Sequence, residues 1–292
     1  MSFNEDQLHR LFAEKFQSRA DLFGPGDDCA ILMSPPSPFC ISCDQLIAGV
    51  HFDEHASSKQ IAEKLIGRSL SDLAAAGATP YSCTITCAFP VDFSEEQSAE
   101  LCEQLLQAAA EYDMPIIGGD CSQAQQLVLT CTVMGHAEAA VPGRRNAQVG
   151  SQILVSRALG GSLLSQRHLS PQPELKLGSY LAQRYSPQAM IDLSDGLDND
   201  LKRILTASKV GAIIHTESIP LNEECDWQQA VCDGEDYGLL VVIATEKLSA
   251  IRQDDFFVEH PLFHIGEIIN GDALIYQRQQ QVVELQRLPF SY

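Results

Sequence analysis

Positive charge is what this chain has least of. Nineteen Lys and Arg stand against 39 Asp and Glu over 292 residues, a formal net charge of −20. A surface of that sign repels nucleic acid and anionic membrane, which excludes both as partners. It repels phosphates as well, so a phosphate-handling site here has to work through cations. Long apolar runs are missing too. No 18-residue apolar segment occurs, and no basic n-region leads into an apolar h-region, so a soluble, cytoplasmic protein is expected. There is no G-x-x-x-x-G-K-[ST] loop, and the G-x-G at Gly24–Gly26 lacks the third glycine of a dinucleotide loop. No internal repeat or low-complexity tract stands out.

Cysteine is present ten times, yet without the density of a disulfide scaffold. Cys83, Cys87, Cys102 and Cys131 sit in apolar runs, where a reduced thiol behaves as a small hydrophobe. Cys40-Ile-Ser-Cys43 is a lone C-x-x-C with no second pair at zinc-site spacing. His51 and His55 are four apart, but His-Phe-Asp-Glu-His is not H-E-x-x-H, and a surface or substrate-contact role suits His51 better than a metal role.

What remains is a chain 45% hydrophobic and 20% charged, long enough for a sizeable core in one or two domains. Residues 1–22 read as an amphipathic helix. Lys59 to Ala76 has helical spacing, with Ile61, Leu65, Ile66, Leu73 and Ala76 at three- and four-residue steps and Gly77 as a stop. On a wheel of about 100° per residue Asp72 falls roughly 20° from Ile61, inside the apolar arc. Lys64 and Arg68 fall to the side of that arc, so a metal ion is the expected neutraliser of this carboxylate.

Other carboxylates are expected at strand ends or helix starts: Asp27-Asp28 in a glycine turn, Asp44 closing a strand from Phe39, and Asp120 after Ile116-Ile-Gly-Gly. Asp192 and Asp195 precede a helix bearing Leu197, Leu201, Ile204 and Leu205, with Ser194 or Asp195 as its cap. Ser94-Glu-Glu-Gln97 matches a capping box, and strands are expected over Tyr81–Phe89, Leu127–Gly135, Gln152–Ser156, Ala212–Thr216 and Leu239–Ala244. So many carboxylates in one place would repel badly without cations. Several hard cations such as Mg²⁺ would neutralise them.

Six ordered blocks carry a family resemblance: Gly-Asp-Asp-Cys-Ala (26–30), Ser-Cys-Asp with Ala-Gly-Val-His-Phe (42–52), and Leu-Ser-Asp-Leu-Ala-Ala-Ala-Gly-Ala-Thr-Pro (70–80). Ile-Gly-Gly-Asp (117–120), Ile-Asp-Leu-Ser-Asp-Gly-Leu (191–197) and Gly-Glu-Asp-Tyr (234–237) follow. In this order the chain resembles the bacterial thiamine-monophosphate kinases. That family is akin to aminoimidazole ribonucleotide synthetase, selenophosphate synthetase and the hydrogenase-maturation dehydratase, which use ATP without a P-loop.

The resemblance implies an α/β (α+β) fold of two domains, an ATP- and metal-binding, dimer-forming half over 1–140 and an α/β half over 141–292. It implies Mg²⁺ held by Asp28, Ser42, Cys43, Asp44, Asp72, Asp120, Asp192 and Asp195. ATP would touch Tyr112, Gly119, Asp120, Arg144 and Ser194, and thiamine monophosphate would touch His51, Glu235 and Tyr292. Asp72, Asp120, Arg144 and Asp195 would carry direct in-line phosphoryl transfer within a homodimer. Two alternatives stay open on the residues alone: another ATP-dependent enzyme of the superfamily, and a catalytically impaired nucleotide-binding paralogue. Cys43, Cys121-Ser-Gln123 and Gly238 stand where the family usually has other residues.

Overall fold

The computed structural model describes residues 11, 14–15, 22–23, 31–32 and 38–286. Asp28, Tyr292 and most of the expected helix over 1–22 lie outside them. Two short strands, β1 (Leu22–Phe23) and β2 (Ile31–Leu32), pair antiparallel. They are followed by β3 (Phe39–Ile47), α1 (Ser58–Ala75), β4 (Thr79–Pro90), α2 (Glu95–Ala110), β5 (Ile116–Ala124) and β6 (Val128–His136). Strands β3–β6 form one four-stranded sheet, ordered β3-β6-β4-β5. Capping boxes close the N-termini of both helices, Ser57 with Gln60 and Ser94 with Gln97.

Alternation along each strand sorts this sheet into two faces. Leu46, Cys83, Ile85, Cys87, Leu129, Cys131 and Val133 share one core with Leu65, Leu70 and Leu73 of α1 and Leu101 and Leu105 of α2. Their neighbours Ile41, Cys43, Gln45 and Thr86 point to the other face, which is open. Cys40 and Cys43, three apart on a strand, therefore point to opposite faces and form no pair.

The remaining elements are β7 (Gln152–Val155), α3 (Leu175–Tyr185), β8 (Ala189–Asp192), α4 (Leu197–Ser208), β9 (Gly211–His215), α5 (Trp227–Cys232), β10 (Leu239–Ile243), α6 (Leu248–Arg252), α7 (Phe256–Glu259), β11 (Phe263–Ile269), β12 (Leu274–Arg278) and β13 (Gln281–Val283). A seven-stranded sheet runs β13-β12-β9-β11-β7-β10-β8. It is covered on both sides, so its central strands are continuously apolar rather than alternating. Leu240 and Val242 join Leu197, Leu201 and Ile204 of α4 and Val231 of α5, while Leu239, Val241 and Ile243 join Leu177 and Leu181 of α3 and Ile251 of α6.

Helix α1 belongs to both halves. It is buried nearly all round, and Ala74 packs into the α3 layer of the second sheet. The approach is close enough to require glycine. A Cβ on Gly178 of α3 would stand 2.0 Å from the Ala74 carbonyl oxygen, and one on Gly67 of α1 would stand 2.5 Å from that of Pro171. Gly77 ends α1 at a φ of +64°, as the helix-stop reading expects.

Several element ends differ from the sequence expectation. Asp44 and Asp120 lie inside continuous strands rather than at their ends. Gly118 and Gly119 lie inside β5. Gly119 lets β5 lie against β4, where a Cβ would meet the Ile85 carbonyl oxygen at 1.8 Å. Neither Ser194 nor Asp195 caps α4. Its N-cap is Gly196 at a φ of +89°, with no side-chain cap.

Candidate active site

Where α1 runs between β3 and the edge strand β8, carboxylates from three elements come within electrostatic reach of one another. Ser42 and Asp44 project from β3 toward the helix, and the Ser42 hydroxyl donates to Asp72 Oδ2. Asp44 Oδ1 takes the Arg68 Nε at 3.2 Å. Burial raises the Asp72 pKa, and the Asp44 charge adds to that. Ser42, Arg144 and Arg68 pull it back. The absence of a cation from the apolar arc is thus corrected by the structure: Arg68 sits one turn before Asp72, and the Arg144 charge, on the connection between the sheets, acts on the same carboxylate.

Asp192 ends β8 with 5% exposure. Burial, then the neighbouring Asp72 and Asp200, push its pKa up to about 7. Burial also raises Asp200 to about 6. Asp200 reaches back to the start of its own helix, accepting the Asp195 N–H at 3.0 Å, and Arg203 grips both Asp195 and Asp200.

A buried carboxyl whose folded pKa lies above its unfolded 3.8 keeps a proton that the unfolded chain has lost. Its stabilising effect is complete below pH 4 and disappears as pH rises through the folded value. Metal-free protein should therefore lose a few kcal/mol between about pH 4 and 7, with Asp192 the main contributor. Melting curves across that window test this; Asp192→Asn should flatten the slope, and an unchanged slope would refute it.

A second group lies further along α1. Lys64 is fully buried and donates to Glu235 Oε2, also buried, on the loop between α5 and β10. His51 follows β3, accepts the Ile47 N–H on Nδ1 at 3.0 Å, and feels the charges of Arg68, Glu235 and Lys64. Burial is the largest influence on its pKa and lowers it. His168, in the 3₁₀ turn Arg167–Leu169, also lies near Lys64 and Glu235.

The structure therefore brings together Ser42, Asp44, Asp72, Asp192 and Arg144, with Asp195 and Ser194 at the head of α4 and His51 with Glu235 beyond. It does not bring all the candidates together. Asp120 pairs with Thr86 on the open face of the sheet, and Cys43, also on that face, takes a Thr132 hydroxyl at 3.3 Å. Strand alternation puts both on the opposite side from Asp44 and Asp72. Tyr112 packs on the first core, with Glu111 and Glu63 as its charged neighbours. Sequence reasoning set Lys64 and Arg68 aside and did not single out His168, Asp200 or Arg203. Of these, Arg68, four residues before Asp72, and Arg203, three after Asp200, carried a local signal.

Among the described residues, no three His, Cys, Asp or Glu side chains converge as a metal site. The donor chemistry nevertheless fits a hard cation, since the groups beside Asp72 able to ligate one, the Ser42 hydroxyl and the Asp44 and Asp192 carboxylates, are all oxygens and the carboxylates repel one another.

Known proteins resemble the chain both in sequence and in fold. The AIR synthase related protein N-terminal domain matches residues 26–137. Over 271 residues the chain is 35% identical to the thiamine-monophosphate kinase of Rhodopirellula baltica, covering 86% of this chain and 84% of that protein. Over 267 residues it is 34% identical to that of Escherichia coli, covering 81% of each. The crystal structure of the Stenotrophomonas maltophilia thiamine-monophosphate kinase superposes with a TM-score of 0.83 at 28% identity, over 97% of this chain and 99% of that one. AaThiL complexed with AMPPCP and TMP shares the fold at a TM-score of 0.74 and 24% identity, over 84% of this chain and 85% of that one.

Proposed function

The chain belongs to the thiamine-monophosphate kinase family, and we propose that the cluster around Asp72 is where it moves the γ-phosphoryl of ATP onto the phosphate of thiamine monophosphate. One observation carries this reading: a helix, a strand and the edge of a second sheet each deliver a carboxylate to the same neighbourhood, with the Arg144 charge beside them. Asp44, Asp72 and Asp192, with Ser42 and Asp28, would hold Mg²⁺, which when bound neutralises phosphate charge.

The chain's own residues have positioning work to do, because the acceptor is already an anion and needs no protein nucleophile. Arg144, exposed on the connection between the sheets, offers the phosphates a fixed cation. Ser194 and the head of α4 face the nucleotide, and His51 and Glu235 the acceptor. The first measurement is a coupled assay with ATP, Mg²⁺ and thiamine monophosphate. ADP and thiamine diphosphate should both form and both vanish with EDTA; ADP without thiamine diphosphate would move the acceptor elsewhere.

The proposal extends to the assembly, with a domain boundary near residue 140. The open face of the first sheet carries Ile41 at 65% exposure and an aromatic-apolar group of Phe39, Tyr81, Ile117 and Met134. A second copy of the chain is the occupant that the homodimer reading assigns to it. Among the described residues no helix is long and apolar enough to cross a membrane.

A further inference from the structure

Lys64 is among the largest side chains to be fully buried in the described residues, and it lies on the helix that both halves share. Its ammonium donates to Glu235 from across the seam. An ion pair in such a place is a poor device for stability, since an apolar pair of the same volume usually serves as well or better. Nor does the Glu235 loop need the lysine to hold its path. Its φ of +62° is fixed by backbone partners: the Glu235 N–H donates to the Ser194 carbonyl at 2.8 Å, and the Ser162 hydroxyl donates to the Glu235 carbonyl at 2.7 Å. The next residue, Asp236, takes the Gly160 N–H at 2.9 Å and Arg167 at 3.2 Å. What Lys64 adds is control of one carboxylate.

We propose that Lys64 is a positioning residue for the acceptor end of the site, holding the Glu235 carboxylate where the acceptor meets it. This rests on the reading of Glu235 as acceptor-facing. Lys64 and Asp72 are eight residues apart on one helix, a rise of roughly 12 Å. A single rigid rod therefore carries both the carboxylate of the phosphoryl-transfer end and the cation that sets the acceptor end. His51, from the first half, and His168, from the second, both lie within reach of the pair's charges, so the site's two walls are referenced to it.

The test is a double-mutant cycle in the full-length protein with Mg²⁺. Glu235→Gln, Lys64→Gln and the double variant are compared by kcat, by KM for each substrate and by thermal melting. Lys64→Gln keeps a hydrogen-bond donor in a side chain short of full length, and Lys64→Met serves as the second variant if it folds poorly. The expected result is a rise of tenfold or more in KM for thiamine monophosphate with KM for ATP within twofold. The double variant should be no worse than Glu235→Gln alone, because Lys64 acts only through Glu235. If Glu235→Gln raises KM for the acceptor and neither Lys64 variant does, or if the two effects multiply, the positioning role is overturned. If Glu235→Gln itself leaves that KM unchanged, the acceptor-facing reading of Glu235 fails instead and takes this role with it.

Discussion

Replacing Asp72 by Asn lowers turnover about a thousandfold or more and leaves the protein folded. The side chain keeps its shape, so the Ser42 hydroxyl retains an oxygen to donate to. What it loses is charge, in a place where charge is costly to keep: burial and the Asp44 carboxylate both raise the Asp72 pKa. Removing one of several repelling carboxylates should leave the melting temperature level or slightly higher. Activity has no such compensation, because Asp72 is the carboxylate linked electrostatically to Asp44, Arg68 and Arg144 on one side and to Asp192 on the other. Turnover and circular dichroism on the same preparation decide it. Near wild-type turnover would remove Asp72 from the site, and loss of fold would make it structural.

The second large effect is expected at Gly178, and its sign is the informative part. Inside a helix, alanine normally stabilises relative to glycine by about 1 kcal/mol. At Gly178 the added methyl would stand 2.0 Å from the Ala74 carbonyl oxygen and 2.9 Å from its carbon. Backbone atoms cannot rotate aside as a side chain can, so α3 and α1 must part. Overpacking of this kind costs about 1–3 kcal/mol and sometimes more, which outweighs the helical gain. Gly178→Ala should therefore destabilise by about 2 kcal/mol, lowering the melting temperature by roughly 5 °C. It should also reduce kcat/KM on the order of a hundredfold, because the seam holds Asp72 against Asp192 and Lys64 against Glu235. A melting temperature equal to or above wild type would show that the seam is not tightly set.

Much of this architecture is legible in the sequence where the signal is local. The periodicity of α1, the Ser94–Gln97 box and the Gly77 stop depend on neighbours in the chain, and the structure follows them closely. The helical wheel put Asp72 on a buried face for the same reason. It failed at Lys64 because a wheel assumes one buried face, whereas α1 is covered by two cores and a polar position can lie between them. Asp120 was placed at a strand end because two glycines before an aspartate suggest a loop; Gly119 instead accommodates β4, which is visible only once β4 and β5 are side by side. Asp200 and Arg203, which hold Asp195, sit in an ordinary helical segment, and their spacing alone does not distinguish them from a solvated face. Partners that are distant in sequence are illegible until the fold closes.

The shared helix also bears on how such a chain can be inherited. A recombination event that joined the first half of this protein to the second half of a relative would set a foreign α3 against Ala74 and a foreign Pro171 loop against Gly67, at spacings where a single methyl group does not fit. Viable chimaeras should be those whose crossovers carry α1 and α3 from the same parent, wherever the sheets come from. The heritable module of this architecture is then the seam, and the two sheets are the parts that can drift around it.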